Sequence, residues 1–119
     1  MQRNFRLTRS EDFKRVRRDG KSYAHPLVVL IALTSDDNVQ PHVRVGVAAG
    51  KSVGTAVYRN RTKRLLREAM RSLLPDIASN LDLVLIARPA LASATLADTQ
   101  RALLNLLQRA KILTPKHES

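Results

Sequence analysis

Apolar and polar residues alternate along this chain with three different rhythms, and each rhythm predicts a different kind of element. Residues 27–33 form an unbroken run of Leu, Val, Ile and Ala, whose length and bounding turn residues predict a strand buried on both faces. Val43, Val45 and Val47 alternate with His42, Arg44 and Gly46, a period of two that predicts a half-buried strand. A polar turn over residues 34–38 lies between these strands, so they are expected to pair as a hairpin. Leu81–Ala87 is again apolar apart from Asp82 and predicts a third strand, ended near Pro89. The helical period appears in residues 56–74, where Tyr58, Thr62, Leu65, Leu66, Ala69 and Leu73 share one face at about 100° per residue. Thr55 stands at its N-cap position and Pro75 closes it. A last helix is expected over residues 96–111, with Leu103, Leu104, Leu107 and Ala110 as its buried stripe. Near the N-terminus, Thr8-Arg9-Ser10-Glu11 has capping-box spacing. It predicts a helix to about Arg18, stopped at Gly20 and packed by a thin stripe of Phe13 and Val16, with Leu7 just before. The tail after Thr114 is expected to fray. The order helix, strand, strand, helix, strand, helix is that of an α+β or mixed α/β sandwich. The chain's 119 residues fit one domain.

Charge adds a function class to this picture. The chain carries 21 Lys and Arg against 10 Asp and Glu, a formal net charge of +11, and such a field attracts polyanions. The excess is concentrated: residues 1–22 hold eight bases against three acids, and residues 59–71 hold six bases against Glu68 alone. Nucleic acid is the first candidate partner and an anionic membrane surface the second. There is no cysteine, hence no disulfide framework and no thiolate metal site. His25, His42 and His117 show no ligand spacing, so no protein-bound metal is expected. No apolar run reaches the roughly 18–20 residues that span a bilayer, and none follows the basic N-terminus at signal-peptide spacing. A soluble, cytoplasmic protein is expected.

Opposite the apolar stripe of the 56–74 helix lie Arg59, Asn60, Lys63, Arg64, Arg67 and Arg71, with Arg61 at the edge. A guanidinium donates two parallel hydrogen bonds to a phosphate and keeps its charge at any working pH. Arg59, Lys63, Arg67 and Arg71 stack cations at successive turns, which costs roughly 0.2–0.5 kcal/mol per like-charged pair. Only Glu68 interrupts them, so a polyanion is expected to neutralise this face. A helix-turn-helix reader of DNA needs a short helix and tight turn before its recognition helix. Here a valine-alternating strand and a glycine loop come first, which favours structured RNA, read by shape and phosphate.

Gly50-Lys51-Ser52 after a strand superficially suggests a phosphate-binding P-loop, but that motif needs four residues between its glycines, and Gly46 and Gly50 have three. Lys51 reads instead as a loop lysine facing RNA. Glu11 and Asp12 fit a first helical turn, and Asp36 and Asp37 a loop, so no convergent acid, base or nucleophile is in view. Two rival readings stay open on the residues alone. One is a non-enzymatic RNA-binding protein such as a small ribosomal protein. The other is a membrane-surface protein, which would want large apolar residues exposed opposite its basic face.

The segment Ala56-Val57-Tyr58-Arg59-Asn60-Arg61-Thr62-Lys63-Arg64-Leu65-Leu66-Arg67-Glu68 resembles the RNR signature of the protein subunit of bacterial ribonuclease P, AVxRNRxKRxxRE. Arg6-Leu7, Glu11-Asp12-Phe13, Val16 and Gly20 resemble the N-terminal helix of that family. Arg44-Val45-Gly46 and Lys51-Ser52-Val53-Gly54 resemble its second strand and following loop, and Ile86-Ala87-Arg88 the end of its third main strand. The likeness covers nearly the whole chain and weakens after Arg88.

The resemblance implies a ribosomal protein S5 domain 2-like fold: a two-layer α/β sandwich with three helices on a small mixed sheet. Its βαβ crossover would be left-handed, where general rules favour the right hand. It further implies a subunit of a cytoplasmic ribonucleoprotein whose catalytic RNA, with bound Mg2+, hydrolyses one phosphodiester of precursor tRNA and releases the 5′ leader. The protein would hold no catalytic residue and no cofactor of its own, and would not bind DNA or membrane. By the same resemblance, Arg59, Asn60, Arg61, Lys63, Arg64 and Arg67 contact RNA. Phe13, Val16, Arg17, Ile31 and Lys51 fall in the cleft for the single-stranded leader. The chain departs from the family in its scarcity of aromatic residues, two Phe and two Tyr. Arg17 and Ile31 stand where the family often has aromatic rings, and Thr55 where it often has Asn. Leader binding is therefore expected to rest on charge and apolar contact, with Arg17 able to stack its guanidinium on a base.

Overall fold

The most apolar stretches of the chain lie side by side in the middle of a mixed sheet. The computed structural model describes residues 6–34, 43–78 and 80–114. The expected turn at residues 35–38, His42 and the tail after Thr114 lie outside them. Strands β1 (Lys21–Ala24), β2 (Val28–Thr34), β3 (Val43–Ala49) and β4 (Leu81–Ala87) take the order β1-β2-β4-β3. Helix α1 (Ser10–Asp19) precedes the sheet, α2 (Ala56–Arg71) joins β3 to β4, and α3 (Leu96–Arg109) ends the fold.

The expected hairpin between the strands now labelled β2 and β3 does not form. β4 separates them, antiparallel to β2 and parallel to β3. Residues 81–85 of β4 are all buried, and only a central position covers both faces of such a strand. The parallel pair then needs a long crossover, which α2 supplies. β1 was not legible in the sequence. It is a short, largely exposed Lys-Ser-Tyr-Ala edge strand, recruited by antiparallel pairing to β2.

Helix boundaries follow local backbone demands. α1 begins at Ser10 with Arg9 at its N-cap and no side-chain cap, so the expected capping box at Thr8 is absent. The chain must stay extended through Leu7, whose N–H donates to the Val45 carbonyl at 2.9 Å beside a parallel bridge from Arg6. Thr55 is the N-cap of α2 but makes no side-chain bond, and α2 ends at Arg71, three residues before the expected end. A 3-10 turn over Leu74–Asp76 accommodates Pro75. α3 has a capping box that the sequence reading missed, with Thr95 and Asp98 bonded reciprocally. It stops where Lys111 turns to φ 59°.

Alternate strand residues serve two cores. On one face Val28, Leu30, Val45, Leu83 and Leu85 meet Leu66, Ala69 and Met70 of α2 and Leu103, Leu106 and Leu107 of α3, none more than 1% exposed. Each large side chain so buried contributes about 1.5–3 kcal/mol. Tyr58, expected on this buried stripe, is instead exposed, because the first turn of α2 projects beyond the core. Met70 fills the stripe in a place the sequence reading left empty.

The other face is built in three rows. Leu33, Asp82 and Arg44 are in register across β2, β4 and β3; next come Ile31, Val84 and Gly46, and then Val29, Ile86 and Ala48. α1 covers the first two rows. A Cβ on Gly46 would stand 2.4 Å from Cζ of Phe13, so glycine there makes room for the ring. A Cβ on Gly20 would stand 2.5 Å from the Val16 carbonyl oxygen and 2.8 Å from Ile31 Cγ2, which lets the chain turn tightly from α1 into β1.

Candidate nucleic-acid interface

α2 is held to the fold by a narrow buried stripe and offers the rest of its circumference to solvent. Thr62, Leu66, Ala69 and Met70 are buried, and the Thr62 hydroxyl donates back to the Arg59 carbonyl at 2.9 Å, so even its polar atom is satisfied inward. Asn60, Arg61 and Arg64 are exposed, while Arg59, Lys63 and Arg67 are half-buried along the flank. Asn60, Lys63, Arg64 and Arg67 together line a shallow concavity of about 350 Å³. Among the described residues, Arg59, Lys63, Arg64 and Arg67 form no ion pair. Glu68, the one acid of the helix, binds Arg71 at 2.7 Å rather than Arg64. The cations at the centre of the helix are thus left for an external anion.

Arg61 is differently placed. Its Nη1 donates to the Ala92 carbonyl at 2.6 Å, tying the 3-10 turn Pro89–Ser93 to α2. Part of this guanidinium therefore supports the fold, with the remaining donors exposed.

Arg67 also lines a second cavity, of about 210 Å³, with Arg6, Leu7, Thr8, Phe13, Val45 and Val47 at the β3 edge of the sheet. Burial and then the neighbouring charge of Arg6 lower its pKa from the usual arginine value. Neither arginine has an ion-pair partner among the described residues. Two cations crowded together on partly desolvated ground favour a bound anion. This cavity joins the α2 face to the ring of Phe13, and so connects the two groups of residues singled out in the sequence.

The five cleft candidates do not form one patch. Phe13 is half-buried over Gly46, Arg17 is exposed on α1, and Lys51 is exposed in the 3-10 turn Lys51–Val53 after β3. Val16 is 0% exposed and Ile31 7%. Both lie in the small core that seats α1, with Leu7 and Val84, and Val16 offers no surface to a ligand. The apolar surface left partly accessible beside α1 is the third row, Val29, Ile86 and Ala48, all half-buried. The continuous strand runs hide these residues among their buried neighbours. Only the register across three strands brings them together.

α1 is held beside that surface by a feature that no motif announced. The Asp82 side chain is fully buried on β4. It accepts two hydrogen bonds from Arg44, both at 3.0 Å, and one from Arg15 of α1 at 2.7 Å. Asp12 extends the network, 3.3 Å from Arg15 and 3.9 Å from Arg44. Burial disfavours the Asp82 carboxylate, but the hydrogen bonds from Arg44 and Arg15 outweigh it and hold the pKa below the ordinary aspartate value. Among the described residues, no three His, Asp or Glu side chains group to hold a metal ion. No helix among them is long and apolar enough to cross a membrane.

Comparison with known proteins agrees with this architecture. The family model described as Ribonuclease P matches residues 1–111. The ribonuclease P protein component of Exiguobacterium sp. is 40% identical over 112 residues, 94% of this chain and 95% of that one. Its counterpart in Herpetosiphon aurantiacus is 41% identical over 112 residues, 94% of this chain and 89% of that one. Among solved structures, the RNase P protein of Staphylococcus aureus superposes with a TM-score of 0.79 at 29% identity, covering 92% of this chain and 98% of that one. The RNase P protein of Thermotoga maritima gives 0.76 at 29% identity, covering 87% of this chain and 96% of that one. With a family match over nearly its full length and relatives this similar at matching length, the chain belongs to the ribonuclease P protein component family.

Proposed function

We propose that this chain binds the catalytic RNA of ribonuclease P through α2 and holds the single-stranded 5′ leader of precursor tRNA beside α1, supporting cleavage by the RNA in the cytoplasm. The observation that carries this reading is the set of α2 cations, Arg59, Lys63, Arg64 and Arg67, with no ion pair among the described residues. A partly desolvated cation gains most from an anion, and the phosphates of a structured RNA supply anions at matching density. The apolar row Val29, Ile86 and Ala48 gives bases a surface, with Phe13 and Arg17 toward α1 and Lys51 beyond β3. Mg2+ belongs to the RNA in this reading. The protein's part is to hold substrate and ribozyme phosphates together against their repulsion, which lowers the Mg2+ that the holoenzyme needs.

The test is reconstitution of the full chain with a bacterial ribonuclease P RNA and precursor tRNA at low Mg2+, reading release of the 5′ leader. Cleavage should require both components. Tight RNA binding without stimulated cleavage by a competent RNA would move the protein to a general RNA-binding role. The leader groove has its own test. Ile86→Asp places a carboxylate in the path of the leader, and should weaken binding of precursor tRNA to the holoenzyme by about tenfold, the equivalent of 1.4 kcal/mol. Binding of mature tRNA, which lacks the leader, should be unchanged. Equal losses for both would remove the leader from this groove.

A further inference from the structure

The most exposed large apolar residues of the described chain are Val57 and Tyr58, 75% and 51% accessible, at the start of α2. In a chain with only two Phe and two Tyr, a ring left in water at the head of a cationic helix stands out. It is also held in place. A Cβ on Gly54 would stand 3.3 Å from Cβ and Cδ2 of Tyr58 and 3.5 Å from Cγ, and Gly54 has φ +134°. A side chain at residue 54 would therefore crowd the root of the Tyr58 ring, and the loop passes it in a conformation that L side chains rarely adopt. The Tyr58 hydroxyl has no hydrogen-bond partner among the described residues. The only cation over an aromatic ring among them is Lys21 on Tyr23, so the exposed face of Tyr58 is open. Arg59, Asn60 and Arg61 follow it directly, and exposed Lys51 belongs to the same connection between β3 and α2.

From this we infer that Tyr58 is a stacking platform for an unpaired nucleobase of the RNA subunit. The inference rests on the α2 reading above and adds to it a non-electrostatic contact. Aromatic rings recover the cost of exposure by stacking on bases, and bases unstacked from loops and bulges are what proteins read on structured RNA. At about 100° per residue Tyr58 lies around α2 from Asn60, Lys63, Arg64 and Arg67, on the side of exposed Arg61 one turn later, so the base it takes belongs to RNA that wraps the N-terminal end of the helix past Arg61. The RNA subunit, rather than the leader, is the source, because α2 and the α1 groove lie on opposite faces of the sheet.

The experiment measures binding of the full chain to a bacterial ribonuclease P RNA across a salt series for Tyr58→Ala, Tyr58→Phe and Tyr58→Leu. Stacking is worth about 1–3 kcal/mol per base, so Tyr58→Ala should weaken binding by about tenfold or more. The slope of log affinity against log salt should stay at the parent value, since no phosphate contact is lost. Tyr58→Phe should bind as the parent does, and Tyr58→Leu as weakly as the alanine variant. Tyr58→Trp gives a reading independent of affinity. It would be the only tryptophan in the chain, and its emission should be quenched by saturating RNA. Parent affinity in Tyr58→Ala or Tyr58→Leu, or tryptophan emission unmoved by RNA, would overturn the platform while leaving the α2 reading standing. A loss confined to precursor tRNA, with RNA-subunit affinity intact, would overturn the assignment to the RNA subunit. If the parent chain itself does not bind the RNA, the α2 reading fails first.

Discussion

Replacing Lys63, Arg64 and Arg67 together by alanine is expected to weaken binding to ribonuclease P RNA by at least about 100-fold at moderate salt and to flatten its salt dependence. These three side chains line one concavity of α2 with Asn60, and none is committed to an ion pair among the described residues. Each phosphate contact contributes about 0.7–0.9 to the slope of log affinity against log salt, so three lost contacts should reduce it by roughly 2–3. The helix itself should survive. Its buried stripe of Thr62, Leu66, Ala69 and Met70 is untouched, alanine is the best helix former, and removing three cations relieves repulsion. Unchanged or slightly raised thermal stability with a flattened salt slope is therefore the expected pair of results. An unchanged slope in a folded triple variant would remove this face from the RNA interface. Arg61 serves as the contrast. Because its guanidinium also holds the Ala92 carbonyl, Arg61→Ala should disturb the Pro89–Ser93 turn as well as any RNA contact, and its effects on stability and binding should not separate cleanly.

What could be read from the chain in advance depended on how local the cause was. The face of α2 was legible because a helix turns by a fixed angle per residue, so spacing alone placed Asn60, Lys63, Arg64 and Arg67 opposite Leu66 and Ala69. The same regularity failed at Tyr58, where exposure is set by where the core ends and not by periodicity. β4 was read to the residue, since an apolar run broken only by Asp82 and bounded by turns has few other solutions. Its position was not, because strand order is decided by which strand must be covered on both faces, a comparison between segments far apart in sequence. Phe13 could be read as core or cleft; its ring fills the space above Gly46 and also lines the cavity shared with Arg67, and the leader-binding test decides whether it also meets the leader. Val29, Ile86 and Ala48 become one surface only through register. Asp82 lies in the run Leu-Asp-Leu-Val-Leu, where one acid looks like a blemish in a strand. Its partners, Arg15 and Arg44, are 67 and 38 residues away, and no local pattern could pair them.

That buried carboxylate is the most consequential single position for how α1 is held. Asp82→Asn keeps the shape of the side chain but removes the buried charge that Arg15 and Arg44 share, leaving the two guanidinium groups above β4 with only the half-buried Asp12 between them, at 3.3 and 3.9 Å. Breaking a buried pair from one side costs about 3–5 kcal/mol. Because both arginines are 33% exposed and can turn partly to water, the lower end of that range applies, about 3 kcal/mol. Against the roughly 5–15 kcal/mol that holds a domain together, this is a substantial fraction, and it should lower the thermal midpoint by about 10 °C or more. The loss should be concentrated in α1. Amide protons of residues 13–19 should exchange much faster in the variant, while those of α3, which packs on the opposite face, should slow or quicken only with global stability. The pH dependence follows from the direction of the Asp82 shift. Its folded pKa lies below the ordinary aspartate value, so its stabilising contribution is complete above about pH 4, near the unfolded pKa. That contribution is lost as the pH falls below this point and through the folded pKa. Acid unfolding of the parent chain should show this limb, and Asp82→Asn should lack it. If the variant unfolds in acid along the parent's curve, with α1 exchange unchanged, the clamp is not what holds the helix over the sheet. If α1 loosens as expected, the groove beside it loses one wall. On the proposed function, precursor tRNA should then bind the variant holoenzyme more weakly, while binding of the RNA subunit through α2 on the far face keeps its parent affinity.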